Sequence, residues 1–465
     1  MWRSAVNELL APIHFIGIGG SGMSGIARIC IDRGFAVSGS DVKDSTALHA
    51  LTLQGATIYV GHDEAHIADA RTVVVSSAIR EENSELRGAR ARGISVITRA
   101  HALAILLKGY TSVAVAGTHG KTTTTSMLTI TLQGLGMDPS FAIGGTPHDS
   151  RANSHHGTGK VFVVEADESD GSFIEYHPDY AIVTNVEVDH VDHFADEQAI
   201  NSAFQALVAT VKKGVILCAD DPGSARLAAF ARKRGLESYL YGKAAEADLR
   251  ISHMHTGSDK SLYRATWQGK TLGEVTISIP GAHNVLNSAA ALAMALVINA
   301  PASEAIAHLG TFSGVARRFE LRGSARGIRV FDDYAHHPTE VHATIATARL
   351  VAPSGRVIVI FQPHRYSRTA AFSNQFAESL RHADFVLLLD IYGAGESPMP
   401  GASSAAISSS VNALGGESIF EPNLMTAVEA AVNFAKEGDV ILTMGAGDVT
   451  SLPPQIIAAI NERQS

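Results

Sequence analysis

The segment Ser112–Thr125, SVAVAGTHGKTTTT, constrains this chain more than any other. Its first half, Val113-Ala114-Val115-Ala116, is an alternating run of small apolar residues with strand character. Its second half leads four threonines into the helical pattern Met127, Leu128, Ile130 and Leu132. A strand, a glycine turn and a helix start aim backbone N–H groups at an anion, where the helix dipole also favours negative charge. Gly117, Thr118, His119, Gly120, Lys121, Thr122 and Thr123 therefore form a candidate triphosphate cradle. Lys121 adds positive charge, and the Thr122 hydroxyl suits the Mg²⁺ that accompanies nucleotide phosphates. The usual spacing would put a glycine where this chain has Val115. An ordinary strand-to-helix connection also carries glycine, but Gly-Lys-Thr at a strand end favours the phosphate reading.

A chain of 465 residues is long enough for about three domains, each with its own core. Its net charge of −9 argues against nucleic acid or an anionic membrane as the main partner. The cysteines, Cys30 and Cys218, sit in apolar stretches and offer no disulfide framework, as expected of a reducing cytoplasm. The N-terminus lacks a signal-peptide pattern, and the longest apolar run, Ala289–Ile298, falls short of the ~20 residues a membrane span needs. No membrane insertion is expected.

From Ile13 to Lys108, strand and helix patterns alternate, implying a parallel sheet with helices on its faces. After the strand Ile13–Ile16, Gly17, Gly19, Gly20, Ser21, Gly22 and Met23 give a G-x-G-x-x-G turn entering a helix, and Asp41 follows where a ribose-binding acid would sit. Taken alone, this would suit a nicotinamide-dependent dehydrogenase, any diphosphate-bearing nucleotide, or a purely structural turn. Ser76 and Ser77, at another strand end, could present hydroxyls to the same ligand.

In the central block, Gly144–Lys160 has almost nothing apolar to bury and reads as a surface loop, possible as a lid. The strand Val161–Val164 ends in Glu165, Asp167, Glu168 and Asp170. Clustered carboxylates repel unless a cation or basic groups share the site. A magnesium ion answers that need, with Glu165 best placed as ligand; a solvated acidic loop is the plain alternative. The strand Ala181–Thr184 leads to Asp189, His190, Asp192 and His193. A zinc pair of His190 and His193 finds no support in cysteines or an H-E-x-x-H helix, so a magnesium-linked role for His190 is more economical. Asn284 and Asn287 lie three apart near the start of an alanine-rich helix, fit for a cap or for recognition of a base or ribose. For the pair Arg317-Arg318, solvation and binding stay equally open.

The last block again alternates strands and helices, with each strand running out into polar or glycine residues. Those ends carry Asp333, Tyr334 and His336, then His364, Arg365 and Arg368; the last three make a cationic patch suited to a carboxylate.

Together these motifs closely resemble the Mur ligase family over nearly the whole chain. The resemblance rests on Ile16–Gly25, Gly117–Thr124, Glu165–Gly171, Thr184–Asp192, His283–Asn287, Arg317–Phe319, Asp332–Thr339 and Phe361–Thr369. It implies an α/β fold of three domains: a Rossmann-like UDP-sugar domain over 1–108, a central P-loop ATPase-like parallel-sheet domain over 109–321, and a Rossmann-like amino-acid domain over 322–465. The implied reaction is ATP-dependent ligation of L-alanine to the lactyl carboxylate of UDP-N-acetylmuramate through an acyl phosphate, in cytoplasmic peptidoglycan synthesis.

By the same resemblance, Lys121 and Thr122 hold ATP phosphates and Mg²⁺ (Mn²⁺ an acceptable substitute), with Glu165 and His190 as further metal ligands. Asn284, Asn287, Arg318 and Asp333 contact ATP. Tyr334, His336, His364, Arg365 and Arg368 form the alanine pocket, His336 or His364 taking the amine proton. Gly17 to Gly25, Asp41, Ser76 and Ser77 receive UDP. A monomer or weak homodimer is expected. Ala335 and Ala282 depart from residues common in the family, away from any proposed reacting atom. The acyl phosphate needs shelter from water, so closure of the C-terminal domain is expected. The rival readings are a ligase recycling a ready-made tripeptide onto the same UDP-sugar, a nicotinamide oxidoreductase, and a nucleotide switch.

Overall fold

The computed structural model describes residues 8–76, 78–150, 152–191, 193–194 and 196–463. Three sheets follow one another along the chain. The first contains β1 (Ile13–Ile16), β2 (Val37–Asp41), β3 (Thr57–Val60), β4 (Thr72–Val75) and β5 (Ser95–Thr98). Its order is β3-β2-β1-β4-β5, all parallel, with α1 (Ser21–Asp32), α2 (Thr46–Leu53), α3 (Ser84–Ala91) and α4 (Arg99–Leu106) as crossovers. The chain leaves β1 in one direction and returns beside it as β4, so the carboxyl end of β1 is a switch point where ligands bind. β2, VSGSD, is a poor strand by composition; Gly39 is there because a Cβ would lie 2.5 Å from the Ile18 side chain.

Beneath this sheet lies a polar knot. Glu85 of α3 is fully buried and accepts from Ser40 Oγ at 2.5 Å, His62 Nδ1 at 3.0 Å and His66 Nδ1 at 2.8 Å, with His14 Nε2 3.7 Å away. Burial works to raise its pKa, but the nearby His14 imidazole and hydrogen bonds from Ser40 and His66 outweigh it and hold the carboxyl down to about 2.

The second sheet has ten strands in the order β15-β14-β13-β12-β11-β10-β6-β9-β7-β8. They are β6 (Thr111–Ala116), β7 (Ser140–Ala142), β8 (Ser154–His155), β9 (Val161–Glu165), β10 (Tyr180–Val183), β11 (Gly214–Cys218), β12 (Glu237–Gly242), β13 (Leu249–Thr256), β14 (Ser261–Trp267) and β15 (Lys270–Ile277). β7 to β12, with β6, are parallel apart from β8, and β13–β14–β15 form an antiparallel meander that the sequence reading leaves unassigned. Helices α5 (Lys121–Gly134), α6 (Glu197–Thr210), α7 (Pro222–Lys233), α8 (Ala282–Val297) and α9 (Ala302–Leu309) cover its faces. The threonine-rich start of α5 and the alanine-rich α8 are buried together, small side chains allowing close approach. The polar stretch 144–160 is docked rather than free. Ser154 is buried against Gly25 of α1, and Asn153 Nδ2 donates to the Ser21 carbonyl at 3.2 Å, which joins the first and second sheets.

The third sheet has β16 (Glu320–Ala325), β17 (Ile328–Asp333), β18 (Val357–Phe361), β19 (Phe385–Leu388), β20 (Ser418–Phe420) and β21 (Val440–Met444), ordered β16-β17-β21-β18-β19-β20. Only β16 is antiparallel to its neighbour. α10 (Pro338–Val351), α11 (Tyr366–Leu380), α12 (Ser404–Ala413), α13 (Leu424–Phe434) and α14 (Pro453–Glu462) pack on both faces, giving one apolar core on each side of the sheet. α10 begins with Pro338 at its first turn and a capping box in which His337 and Glu340 satisfy each other's orphan amides. Among the described residues, no helix is long and apolar enough to cross a membrane.

Candidate active site

The carboxyl ends of β6, β9 and β10 in the central sheet meet those of β17 and β18 in the third. Gly117 (φ +128) and Gly120 (φ +80) set the turn after β6; a Cβ would lie 2.0 Å from Thr184 Oγ1 at the first and 2.4 Å from Asn287 Oδ1 at the second. Only glycine fits either position. The turn delivers Lys121 to α5 as its first residue. Lys121 Nζ donates to Glu168 Oε2 at 2.8 Å and to the Gly117 carbonyl at 2.8 Å. Burial opposes its charge, but Glu168 and Asp167 hold the ammonium above the ordinary lysine range. Burial pushes the Glu168 carboxyl up to about 7. Lys121 is thus a cation held at the turn by a fully buried acid.

Thr122 Oγ1 donates to Glu165 Oε1 at 2.9 Å, and Glu165 Oε2 accepts from the Gly144 amide at 2.7 Å. A Cβ on Gly144 would stand 2.9 Å from that carboxylate, so glycine keeps this side open. His190 gathers with Asp167 and Glu168, ligand atoms within 4.8 Å of one another, in a group that does not include Glu165. Its Nδ1 is buried without a partner, and burial lowers its pKa, leaving a neutral imidazole. A hydroxyl, a carboxylate and an orphaned imidazole nitrogen fit a hard divalent cation.

Beside the turn opens a cavity of about 330 Å³ lined by Gly120, Asn284, Asn287, Arg318 and Asp333. Asn284 Nδ2 donates to the Pro280 carbonyl at 2.7 Å, just ahead of the helix, and both asparagines line the cavity. Arg318 Nη2 donates to Thr122 Oγ1 at 3.3 Å and lies over the Tyr334 ring, 5.1 Å from its centroid. Asp333 accepts from the Phe319 and Ala335 amides, each at 2.6 Å, and burial raises its pKa to about 6. His119 bridges Glu187 at 3.2 Å and Glu340 at 3.3 Å; burial would lower its pKa, but the two carboxylates raise it to about 9.

The histidines after β17 and β18 converge. His336 and His364 rings are 5.9 Å apart, with Tyr334 5.2 Å from His336 and Tyr392 stacked 5.8 Å from His364. Burial lowers His336 to about 4 and His364 to about 3. His336 Nδ1 lies 2.9 Å from the Tyr334 carbonyl, which requires N–H there and leaves Nε2 with its lone pair. His364 Nδ1 accepts from Arg368 Nη1 at 3.2 Å, so its proton sits on Nε2. Arg368 departs from the expected carboxylate clamp. Its Nε and Nη2 donate to Asp189 at 2.8 and 3.2 Å, an ion pair 3% exposed on each side. Its Nη1 contact with His364 is what joins it to this pocket. Arg365, with φ +67 just before α11, lies 3.8 Å from Glu396.

On the first sheet, the Gly19 amide donates to Asp41 Oδ2 at 2.9 Å, and Gly17 (φ +79) faces Ser76 Oγ. Ser21, Gly22 and Met23 line a cavity with Asp167 and Asp170 of the acidic segment. Ser77 and Asp192 lie outside the described residues. Arg99, unremarked in the sequence, is nearest to Gly22 (3.2 Å from a Cβ there) and is held charged by Tyr176, Asp170 and Asp167 against its burial. An arginine opening a helix next to an acidic loop gives no signal without the fold. Glu340 was equally silent, while Glu168, Glu187 and Asp189 stand in acidic runs the sequence does flag, with nothing to mark them above their neighbours.

Three family models match: "Mur ligase family, catalytic domain" over residues 12–111, "Mur ligase middle domain" over 115–295, and "Mur ligase, glutamate ligase domain" over 317–447. The UDP-N-acetylmuramate–L-alanine ligase of Acidothermus cellulolyticus is 47% identical over 98% of this chain and 96% of its own. That of Thermobifida fusca is 46% identical over 97% of each chain. Among solved structures, the UDP-N-acetylmuramate-alanine ligase of Thermotoga maritima superposes with a TM-score of 0.80 at 30% identity, covering 96% of this chain and 98% of that one. A murein peptide ligase from Psychrobacter arcticus gives 0.69 at 26% identity, covering 97% and 99%.

Proposed function

This chain belongs to the Mur ligase family, and from that premise we propose that it joins L-alanine to the lactyl carboxylate of UDP-N-acetylmuramate, using ATP, in peptidoglycan synthesis. One observation carries the reading: the phosphate turn after β6, the acidic segment after β9 and the His336–His364 pair converge on one edge between two sheets. We further assign 1–108 to the UDP-sugar, 109–321 to ATP and 322–465 to the amino acid, the enzyme working in the cytoplasm as a monomer or weak homodimer.

A carboxylate is a poor acylating agent, so its oxygen attacks the γ-phosphate of ATP, forming an acyl phosphate and releasing ADP. Lys121 and the turn amides meet the charge that builds on the transferred group. Thr122, Glu165 and His190 would hold Mg²⁺, or Mn²⁺ in its place, which supplies further charge stabilisation when bound. The amine of alanine then attacks the acyl carbon, phosphate leaves, and an amide remains. His336 Nε2, unprotonated at neutral pH, is the group disposed to receive the amine proton; His364, protonated on Nε2, is a donor. Asn284, Asn287, Arg318 and Asp333 contact ATP. Asp41, Ser76 and the turn from Gly17 to Met23 take UDP.

A tripeptide-recycling ligase would share all of the nucleotide chemistry and differ in the amine pocket. Phosphate release from ATP with UDP-N-acetylmuramate separates the two. L-alanine is expected to sustain turnover, and tripeptide or no amine is not. Turnover with tripeptide alone would reverse the assignment.

A further inference from the structure

The segment 185–189, leaving β10, is bonded to the phosphate turn on one side and to the C-terminal domain on the other. Toward the turn, Asn185 Oδ1 accepts from the His119 amide at 2.8 Å, and Asn185 Nδ2 donates to the His119 carbonyl at 3.1 Å. Thr118 Oγ1 donates to the Glu187 carbonyl at 3.1 Å and accepts from the Glu187 amide at 2.9 Å. Toward the C-terminal domain, His337 Nε2 donates to the Val188 carbonyl at 3.2 Å and Arg368 pairs with Asp189. The two sets meet at a single atom. Glu187 Oε2 lies 3.2 Å from His119 Nε2 and accepts from Thr339 Oγ1, on α10, at 2.7 Å.

His119, Glu187 and His337 could by proximity hold a cation, with ligand atoms within 4.8 Å. Their nitrogens are already engaged, however. His119 sits between two carboxylates, and His337 accepts from the Thr339 amide at 3.3 Å while donating to Val188. This leaves a mechanical role. A side chain that moves to follow phosphates in the turn pulls on the same oxygen that seats α10, and α10 follows Tyr334 and His336 directly in the chain.

We propose that segment 185–189 couples occupancy of the phosphate turn to docking of the C-terminal domain, with Glu187 and Thr339 as positioning residues for amine transfer. The proposal rests on the ligase reading above. Nucleotide binding then prepares the alanine pocket, and by linkage alanine tightens nucleotide binding equally.

The test compares Thr339→Val, which removes the hydroxyl at constant shape, with Thr339→Ser, which keeps it. Thr339→Val is expected to raise the KM for L-alanine about tenfold, the fold-change that one lost hydrogen bond to a charged group carries, with kcat little changed. It should also abolish the tightening of a non-hydrolysable ATP analogue by alanine. Thr339→Ser is expected to restore both. Unchanged alanine KM and analogue affinity in Thr339→Val, or no rescue by serine, would overturn the coupling while leaving the ligase reading intact. An inactive wild-type enzyme would overturn both.

Discussion

Replacing Lys121 with alanine is expected to reduce ATP turnover by at least about 10³-fold while leaving UDP-N-acetylmuramate affinity within roughly twofold of wild type. In the proposed mechanism Lys121 is the cation that meets the transferring phosphoryl group, so its loss falls on the transition state. The protein should still fold. Glu168 loses its counter-ion, but its carboxyl is already raised to about 7 with Lys121 in place, and without the lysine burial makes it keep its proton. No uncompensated buried charge remains. Steady-state phosphate release and calorimetric titration with the UDP-sugar check the two halves separately. Loss of both activities together would mean misfolding or a shared site.

The largest stability effect is expected far from the chemistry, at Glu85. Glu85→Ala removes the acceptor that Ser40, His62 and His66 share beneath the first sheet, leaving Ser40 and His62 only each other and His66 only the Asp63 amide. Breaking a buried charged network by removing one member costs about 3–5 kcal/mol. The sign of the pH dependence follows from the depressed carboxyl. With a folded value of about 2 against an ordinary 4.5, Glu85 contributes stability that is fully present above the unfolded value and is lost as pH falls through the folded one. That contribution is about 3 kcal/mol at neutral pH by linkage. Denaturant unfolding of the wild type and of Glu85→Ala, at pH 7 and pH 3, should show the gap between them narrowing in acid. A gap that stays constant would remove Glu85 from the account of acid stability.

Much of this architecture was legible before any coordinates. The alternating strands and helices, the glycine turn entering α1 and the Gly-Lys-Thr turn entering α5 are local patterns with local causes, and they fall where the three sheets place them. What the sequence could not show is which of several equivalent residues the fold buries. Four acids fall in the six residues that start with Glu165 at the end of β9, and only Glu168 among them is fully buried against Lys121. Arg368 reads as part of a cationic patch, yet its partner is an aspartate nearly two hundred positions away. Segment 185–189 lies inside a stretch that carries the family resemblance, but nothing in its residues shows that the Asn185 amide, the Glu187 and Asp189 carboxylates and the Val188 carbonyl reach two domains at once. The antiparallel meander β13–β14–β15 does carry turn signals, Gly257-Ser258-Asp259 and the two-residue turn Gln268-Gly269, but its strands mix polar and apolar residues too evenly to stand out beside the alternating strand–helix pattern.

At the centre of the account stand two glycine turns, on different sheets, gripping two different nucleotides at once. Equilibrium dialysis of the wild-type protein against differently labelled UDP-N-acetylmuramate and a non-hydrolysable ATP analogue, separately and together, tests this directly. One equivalent of each should be retained, neither displacing the other. Mutual displacement, or failure of either nucleotide to bind, would contradict it.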